Sequence, residues 1–261
     1  MTTRTQERRH GFTLVELLVT AGVVMLLVGI LLPGLGRARE QARSTFCQSN
    51  IRQLALANGL YAQEFGGVYV PGASGIRQEN LHRWHGVRST TQEPFVPSGG
   101  PLTAYLGPDG AIQECPTFRP HKPGFETGNG GYGYNNAYVG VQTAMKSNGR
   151  VIVISDRAGT VADRIKHPGD TVMFTDSAFV NGQLIEYSFA EPRFHPAFAS
   201  RADPSIHFRH AQHANVAWCD GSVRWEMRTH TWSSGNYPGD PDRWGIGWFG
   251  ETDDNAWFDL R

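Results

Sequence analysis

From Phe12 to Leu32 the chain runs for 21 residues with no charge except Glu16, in the stretch GFTLVELLVTAGVVMLLVGILLP. At about 1.5 Å per residue, a helix of that length crosses a hydrocarbon layer of about 30 Å. A carboxylate near the end of such a segment costs a few kcal/mol unless it faces protein or a partner charge. One helix must therefore lie in an apolar medium or against other apolar helices, and Glu16 must have a neighbour that justifies it.

The flanks narrow the choice. Ahead lies MTTRTQERRHG, with Arg4, Arg8 and Arg9 against Glu7, and behind lies GRAREQAR. The charge-asymmetry rule keeps the short leader in the cytoplasm and sends the remainder across, although arginine on both sides weakens the bias. A secretory signal has a shorter apolar core and a small-residue cleavage site, which PGLGRARE matches poorly. A plain signal anchor leaves Glu16 unexplained.

The segment G-FTLVE resembles the processing site of type IV prepilins and of the pseudopilins of type II secretion systems. The likeness rests on the basic leader, Gly11, then Phe12, Glu16 four residues later, and Pro33 at the far end of the apolar run. It implies that prepilin peptidase, a membrane aspartyl enzyme, cuts between Gly11 and Phe12 and N-methylates Phe12. It also implies that Glu16 sits near the N-terminal amine of a neighbouring subunit, where an ammonium offsets the buried acid and fixes axial register. The partners implied are that peptidase, copies of the chain or related subunits packed through N-terminal helices, and an inner-membrane assembly platform. The localisation implied is the inner membrane, single-pass with the head outside the cytoplasm, and then a periplasmic or cell-surface fibre.

Beyond Pro33 the helical pattern continues. Cys47, Ile51, Leu54, Tyr61 and Phe65 recur at spacings of three and four, with Asn58 breaking the stripe. Pro33 with Gly34 and Gly36 predicts a helix bend or a locally melted turn. The expected organisation is a leader over 1–11, an assembly half of the helix over 12–36, an amphipathic half over 37–66 and a head over 67–261. In the head, GVYV, RVIVIS, TVMFTDS, QLIEYSF, NVAWC and SVRW read as strands between Gly/Pro-rich loops such as GNGGYGYNN. The fold class expected is α+β: a long N-terminal helix packed on a small antiparallel sheet with long loops.

The clearest hairpin is HANVAWCDGSVRWEM. A two-residue turn at Asp220-Gly221 pairs Trp218 with Val223 and Val216 with Trp225, giving one apolar face for the helix stripe. Nine residues separate His210 from Asp220. This resembles the histidine–nine residues–Asp-Gly element near the C-terminus of a large group of pilin-like proteins. CQSNIRQLALANGLYAQEFGGVYVP, ECP, YGYN and HPGDTVMFTDS also look like that group, whose biological role is poorly defined.

Other candidate sites are weaker. His207, His210 and His213, with His195 and Asp220 as candidate neighbours, do not share one side of a strand, so no metal is assigned; His210 is expected to bond Asp220 or backbone across the hairpin. Asp240, Asp242, Asp253, Asp254 and Asp259 offer calcium chemistry without the spacing of a calcium loop. Of three cysteines, Cys47 and Cys115 are a candidate disulfide in an oxidising compartment, with Cys219 left over; sequence leaves the pairing open. Trp232, Trp244, Trp248 and Trp257 either pin the last loop or display aromatics to a glycan or protein. With 24 basic and 24 acidic residues, no basic patch points to nucleic acid. No nucleophilic or acid–base constellation points to an enzyme. The function expected is a structural subunit of a type IV pilus or pseudopilus, the competing one a membrane-tethered or tip-located binding protein.

Overall fold

The computed structural model describes residues 13–107, 110–122, 124, 126–198 and 200–261. One helix, α1, spans Leu14–Glu64, and antiparallel strand pairs follow it. The chain divides into two compact units, Met1–Ala42 and Arg43–Arg261.

In the first unit the apolar side chains from Leu14 to Leu35 are exposed, and the helix is long and apolar enough to cross a membrane. The melted turn expected at Pro33 is absent: α1 continues through Pro33, Gly34 and Gly36. A proline in a helix interior removes one backbone donor and costs about 3 kcal/mol, but the rungs on either side can persist.

In the second unit, α1 buries Cys47, Ile51, Leu54, Ala55 and Ala62 in the core. Full burial of a side chain such as Ile51 or Leu54 is worth about 1.5–3 kcal/mol. The expected stripe is corrected at two positions. Phe65 is half exposed and stacks on Tyr61 instead, with ring centroids 4.2 Å apart. Asn58, read as a break, is completely buried. Its amide donates to the Tyr134 hydroxyl at 3.1 Å, and its oxygen accepts from the Val70 N–H at 3.0 Å. A buried backbone donor needs such an acceptor.

The central sheet comprises β1 (Tyr132–Tyr134), β2 (Val172–Asp176), β3 (His213–Trp218) and β4 (Val223–Met227), adjacent in chain order and antiparallel throughout. β1 corrects the reading of GNGGYGYNN as loop. Gly133 lets the strand approach its neighbours: a Cβ there would stand 2.6 Å from the Phe189 carbonyl oxygen. Of the expected strands, GVYV contributes only a bridge from Val68 to Val161, and QLIEYSF is a strand only over Gln183–Ile185.

The β3–β4 hairpin forms in a register one residue away from the expected one. Ala217 faces Val223, Val216 faces Arg224 and Asn215 faces Trp225. The Gly221 N–H bonds the Trp218 carbonyl and the Trp218 N–H bonds the Ser222 carbonyl, both at 2.9 Å. Gly221 alone among the turn residues has positive φ, at 83°. The loop is thus an ordinary tight turn followed by a glycine bulge, not a two-residue turn with both centres left-handed. A one-residue shift exchanges the faces of a strand. Ala217 and Val223 join the core that holds the α1 residues, whereas Val216 and Trp218 join a second core with Trp248, Phe249 and Phe258. Arg224 lies over the Trp218 ring at 4.2 Å, and Trp225 is left exposed.

Buried charge pins the periphery. Glu126 accepts from the Arg83 guanidinium at 2.6 and 2.7 Å and from the Ser188 hydroxyl at 2.6 Å. Burial alone would raise its pKa, but His85, Arg83 and Ser188 outweigh it and hold the carboxyl at about 2. Arg193, also buried, donates to the Phe249, Gly250 and Thr252 carbonyls and fastens the last loop.

Two outcomes test this account. Replacing Asn58 by Ala orphans the Val70 donor and is expected to cost roughly 2–4 kcal/mol in urea unfolding of the detergent-solubilised chain, against no change for exposed Gln53→Ala. Because Glu126 titrates lower when folded, the stability it supplies is complete above about pH 4.5 and is lost as pH falls through about 2. Glu126→Gln should start less stable and lose less between those pH values in acid-unfolding curves.

Candidate functional site

The functional segment begins with Thr-Leu-Val-Glu at 13–16. Thr13 precedes the first residue of α1, and Glu16 lies in its first turn. Helix starts leave backbone donors unmatched, and threonine followed three residues later by glutamate satisfies two of them reciprocally. The Thr13 N–H and hydroxyl donate to Glu16 Oε2 at 2.9 and 2.8 Å, and the Glu16 N–H donates back to Thr13 Oγ1 at 3.3 Å. Glu16 thus sits at the positive end of its own helix and already has partners there. Thr13 was missed by the sequence reading, although its spacing from Glu16 is the capping signature. The expected cleavage pair, Gly11 and Phe12, lies outside the described residues.

A second cluster lies in the head. Cys47 of α1 and Cys115 form a disulfide with Cα atoms 5.3 Å apart, and Cys219 is free. Beside it, Arg209 Nε donates to Cys115 Sγ at 3.3 Å and His210 Nε2 stands 3.5 Å from the same sulfur. Arg209 also donates to Asp176 Oδ1 at 2.6 Å, and Asp176 Oδ2 accepts the Asn215 N–H at 2.8 Å and faces His210 Nε2 at 3.4 Å. Asp176 and Arg209 were not singled out from sequence, because nothing local marks a TDS strand end and an FRH segment as partners.

Of the two partners expected for His210, Asp220 or backbone, Asp220 is out of reach. β3 runs between His210 and Asp220, so the two ends of the histidine–nine residues–Asp-Gly element stand at opposite ends of one strand. Asp220 instead accepts the Ser222 N–H at 2.8 Å and shapes the turn at Gly221. The three histidines also diverge. Burial, then the charges of Arg209 and His210, push the His207 pKa well below its ordinary value. His213 packs its ring on Trp225 at 4.4 Å. His195 accepts the Ala197 N–H at 3.1 Å through Nδ1.

The C-terminal acids are drawn into separate contacts. Asp253 pairs with Arg201 and Arg193, Asp242 with Arg228 and Asp259 with Arg261, while Asp240 and Asp254 accept backbone N–H groups. Among the tryptophans, Trp248 is fully buried and donates to the Glu191 carbonyl at 2.8 Å. Trp232 and Trp257 pack on the second core and Trp244 on the first. All four brace the loop.

A family model described as the prokaryotic N-terminal methylation motif matches residues 7–32, a span that holds Gly11, Phe12 and Glu16. The chain therefore carries a type IV pilin-like prepilin motif, which supports reading it as a pilin-like or pseudopilin-like substrate of prepilin peptidase. No curated protein and no solved structure matches the chain.

Loss of the cap is measurable. Thr13→Ala should cost about 1 kcal/mol locally and speed amide exchange over residues 14–17 in detergent micelles, whereas Thr13→Ser should stay near wild type.

Proposed function

We propose that the chain is a structural subunit of a type IV pilus or of a type II secretion pseudopilus, cut after Gly11, methylated on Phe12 and assembled through its N-terminal helix. The observation that carries this reading is the coincidence of the methylation motif over 7–32 with a helix whose large apolar side chains from Leu14 to Leu35 are exposed. An apolar face of that size is tolerated only in lipid or against other helices. The head's resemblance to pilin-like proteins with the histidine–nine residues–Asp-Gly element supports the same direction.

The residues divide the work. Cleavage between Gly11 and Phe12 creates an amine one residue ahead of the Thr13 cap. Glu16, held by Thr13, stays solvated by protein donors while the subunit waits in the membrane, so the isolated acid costs less than it would alone. In a fibre, the ammonium of a neighbouring subunit adds to these partners and selects one axial register. Prepilin peptidase, sister subunits and an inner-membrane platform are the partners this scheme requires. The competing reading is a membrane-tethered or tip-located binding subunit, for which the half-buried Trp232, Trp244 and Trp257 of the last loop would be the contact residues.

The test is the N-terminal peptide from native cells by mass spectrometry. A peptide beginning at Phe12 and carrying one extra methyl group supports the proposal; an intact leader sinks it. Glu16→Gln should be cleaved normally yet recovered at least about tenfold less in sheared fibres, an effect of at least about 1.4 kcal/mol per register contact. Fibre yields equal to wild type would remove Glu16 from assembly.

A further inference from the structure

Cys47, Cys115 and His210 each offer one ligand atom within 4.8 Å of the other two, and all three residues are buried. They come from separate parts of the chain: α1, the loop ahead of β1 and the segment leading into β3. Among the described residues this is the group of histidine, cysteine and acidic side chains that converges enough to hold an ion.

The geometry has the dimensions of a metal centre. Cys115 Sγ and His210 Nε2 are 3.5 Å apart. A thiolate and an imidazole bound to one tetrahedral zinc at about 2.3 and 2.0 Å span an edge of about 3.5 Å. The charges also balance. Two thiolates cancel a dication, and the neighbouring Arg209–Asp176 pair adds no net charge. His207, facing Arg209 Nη1 through Nδ1 at 3.3 Å, is kept neutral by burial. A buried site with residual charge would be costly, and this one has none. Sulfur and imidazole ligands select zinc-class ions over calcium or magnesium, which take oxygen.

We propose that the reduced chain binds a zinc-class dication through Cys47 Sγ, Cys115 Sγ and His210 Nε2, and that closing the disulfide expels it. On loading, each thiol gives up its proton as the ion binds. On oxidation, a disulfide-bearing oxidant accepts two electrons from the two thiolates by exchange. Its own S–S bond breaks and takes up two protons to become two thiols, the Cys47–Cys115 bond forms, and the dication leaves. In the oxidised structure His210 Nε2 lies between Cys115 Sγ at 3.5 Å and Asp176 Oδ2 at 3.4 Å. The ion would hold α1 against the Cys115 loop before the covalent tie exists. It would also keep both thiols from pairing with Cys219.

The test uses the full-length chain in detergent micelles, reduced with a phosphine, with cobalt(II) as the zinc probe. Expected are a thiolate-to-cobalt absorption band and tetrahedral ligand-field bands, displaced by excess zinc and missing from the oxidised protein. His210→Ala should weaken cobalt binding at least about tenfold, while Cys219→Ser leaves it unchanged. Peptide-resolved alkylation provides a reading independent of those variants: zinc should slow maleimide labelling of Cys47 and Cys115 at least about tenfold and leave Cys219 unaffected. Reduced protein with no thiolate–cobalt band, a band that disappears only with Cys219→Ser, or labelling of Cys47 and Cys115 indifferent to zinc would each overturn the proposal.

Discussion

The head is organised round one buried ion pair, Arg209 with Asp176. Asp176 ends β2, accepts the Asn215 N–H of β3 and faces His210. The arginine reaches further: it donates to the Gly131 and Ser177 carbonyls, touches Cys115 Sγ and lies over the Phe118 ring at 4.9 Å. Sheet, disulfide loop and the approach to β3 therefore meet at a single cation. Such a pair contributes little by itself once desolvation is counted, but removing one partner strands a charge and costs about 3–5 kcal/mol. Its effect is to make alternatives expensive, because any packing that separates these segments leaves a guanidinium or carboxylate buried without a counterion.

The same logic recurs at a lower cost elsewhere. Asn58 brings a polar group into the apolar side of α1 and recovers it by capturing the Val70 donor and the Tyr134 hydroxyl. Glu126 joins Arg83 to Ser188, and Arg193 joins three carbonyls of the final loop. A chain in which loops outnumber strands must satisfy many backbone groups without a ladder, and buried side-chain donors and acceptors are the available means.

What could be read from the sequence follows from how local each signal is. The membrane-length helix was legible because apolar length is a property of consecutive residues, and the α+β class because the strand patterns TVMFTDS, NVAWC and SVRW lie within single segments. β1 was not, since its strand character comes from pairing with β2, and the close approach of Gly133 to Phe189 is likewise made across the fold. The polarity of Asn58 read locally as a fault and proved to be an anchor, because its partners are 12 and 76 residues away. In the functional segment Glu16 stood out as a lone acid among apolar residues. Thr13 did not, although a capping pair was spelled out in the order of the residues.

The glycine bulge at Gly221 has a further consequence. The hairpin's length acts as a phase setting for the whole C-terminal region, because the position of that one left-handed residue decides which side of β4 meets the α1 core and which meets the tryptophan-lined one. Substitutions around it alter packing by degrees. Insertion or deletion of a single residue between Trp218 and Val223 would instead invert the strand, sending Arg224 toward α1 and Trp225 toward Trp218. This short stretch should therefore accept changes of residue identity far more readily than any change in residue number, in contrast to the longer loops that surround it.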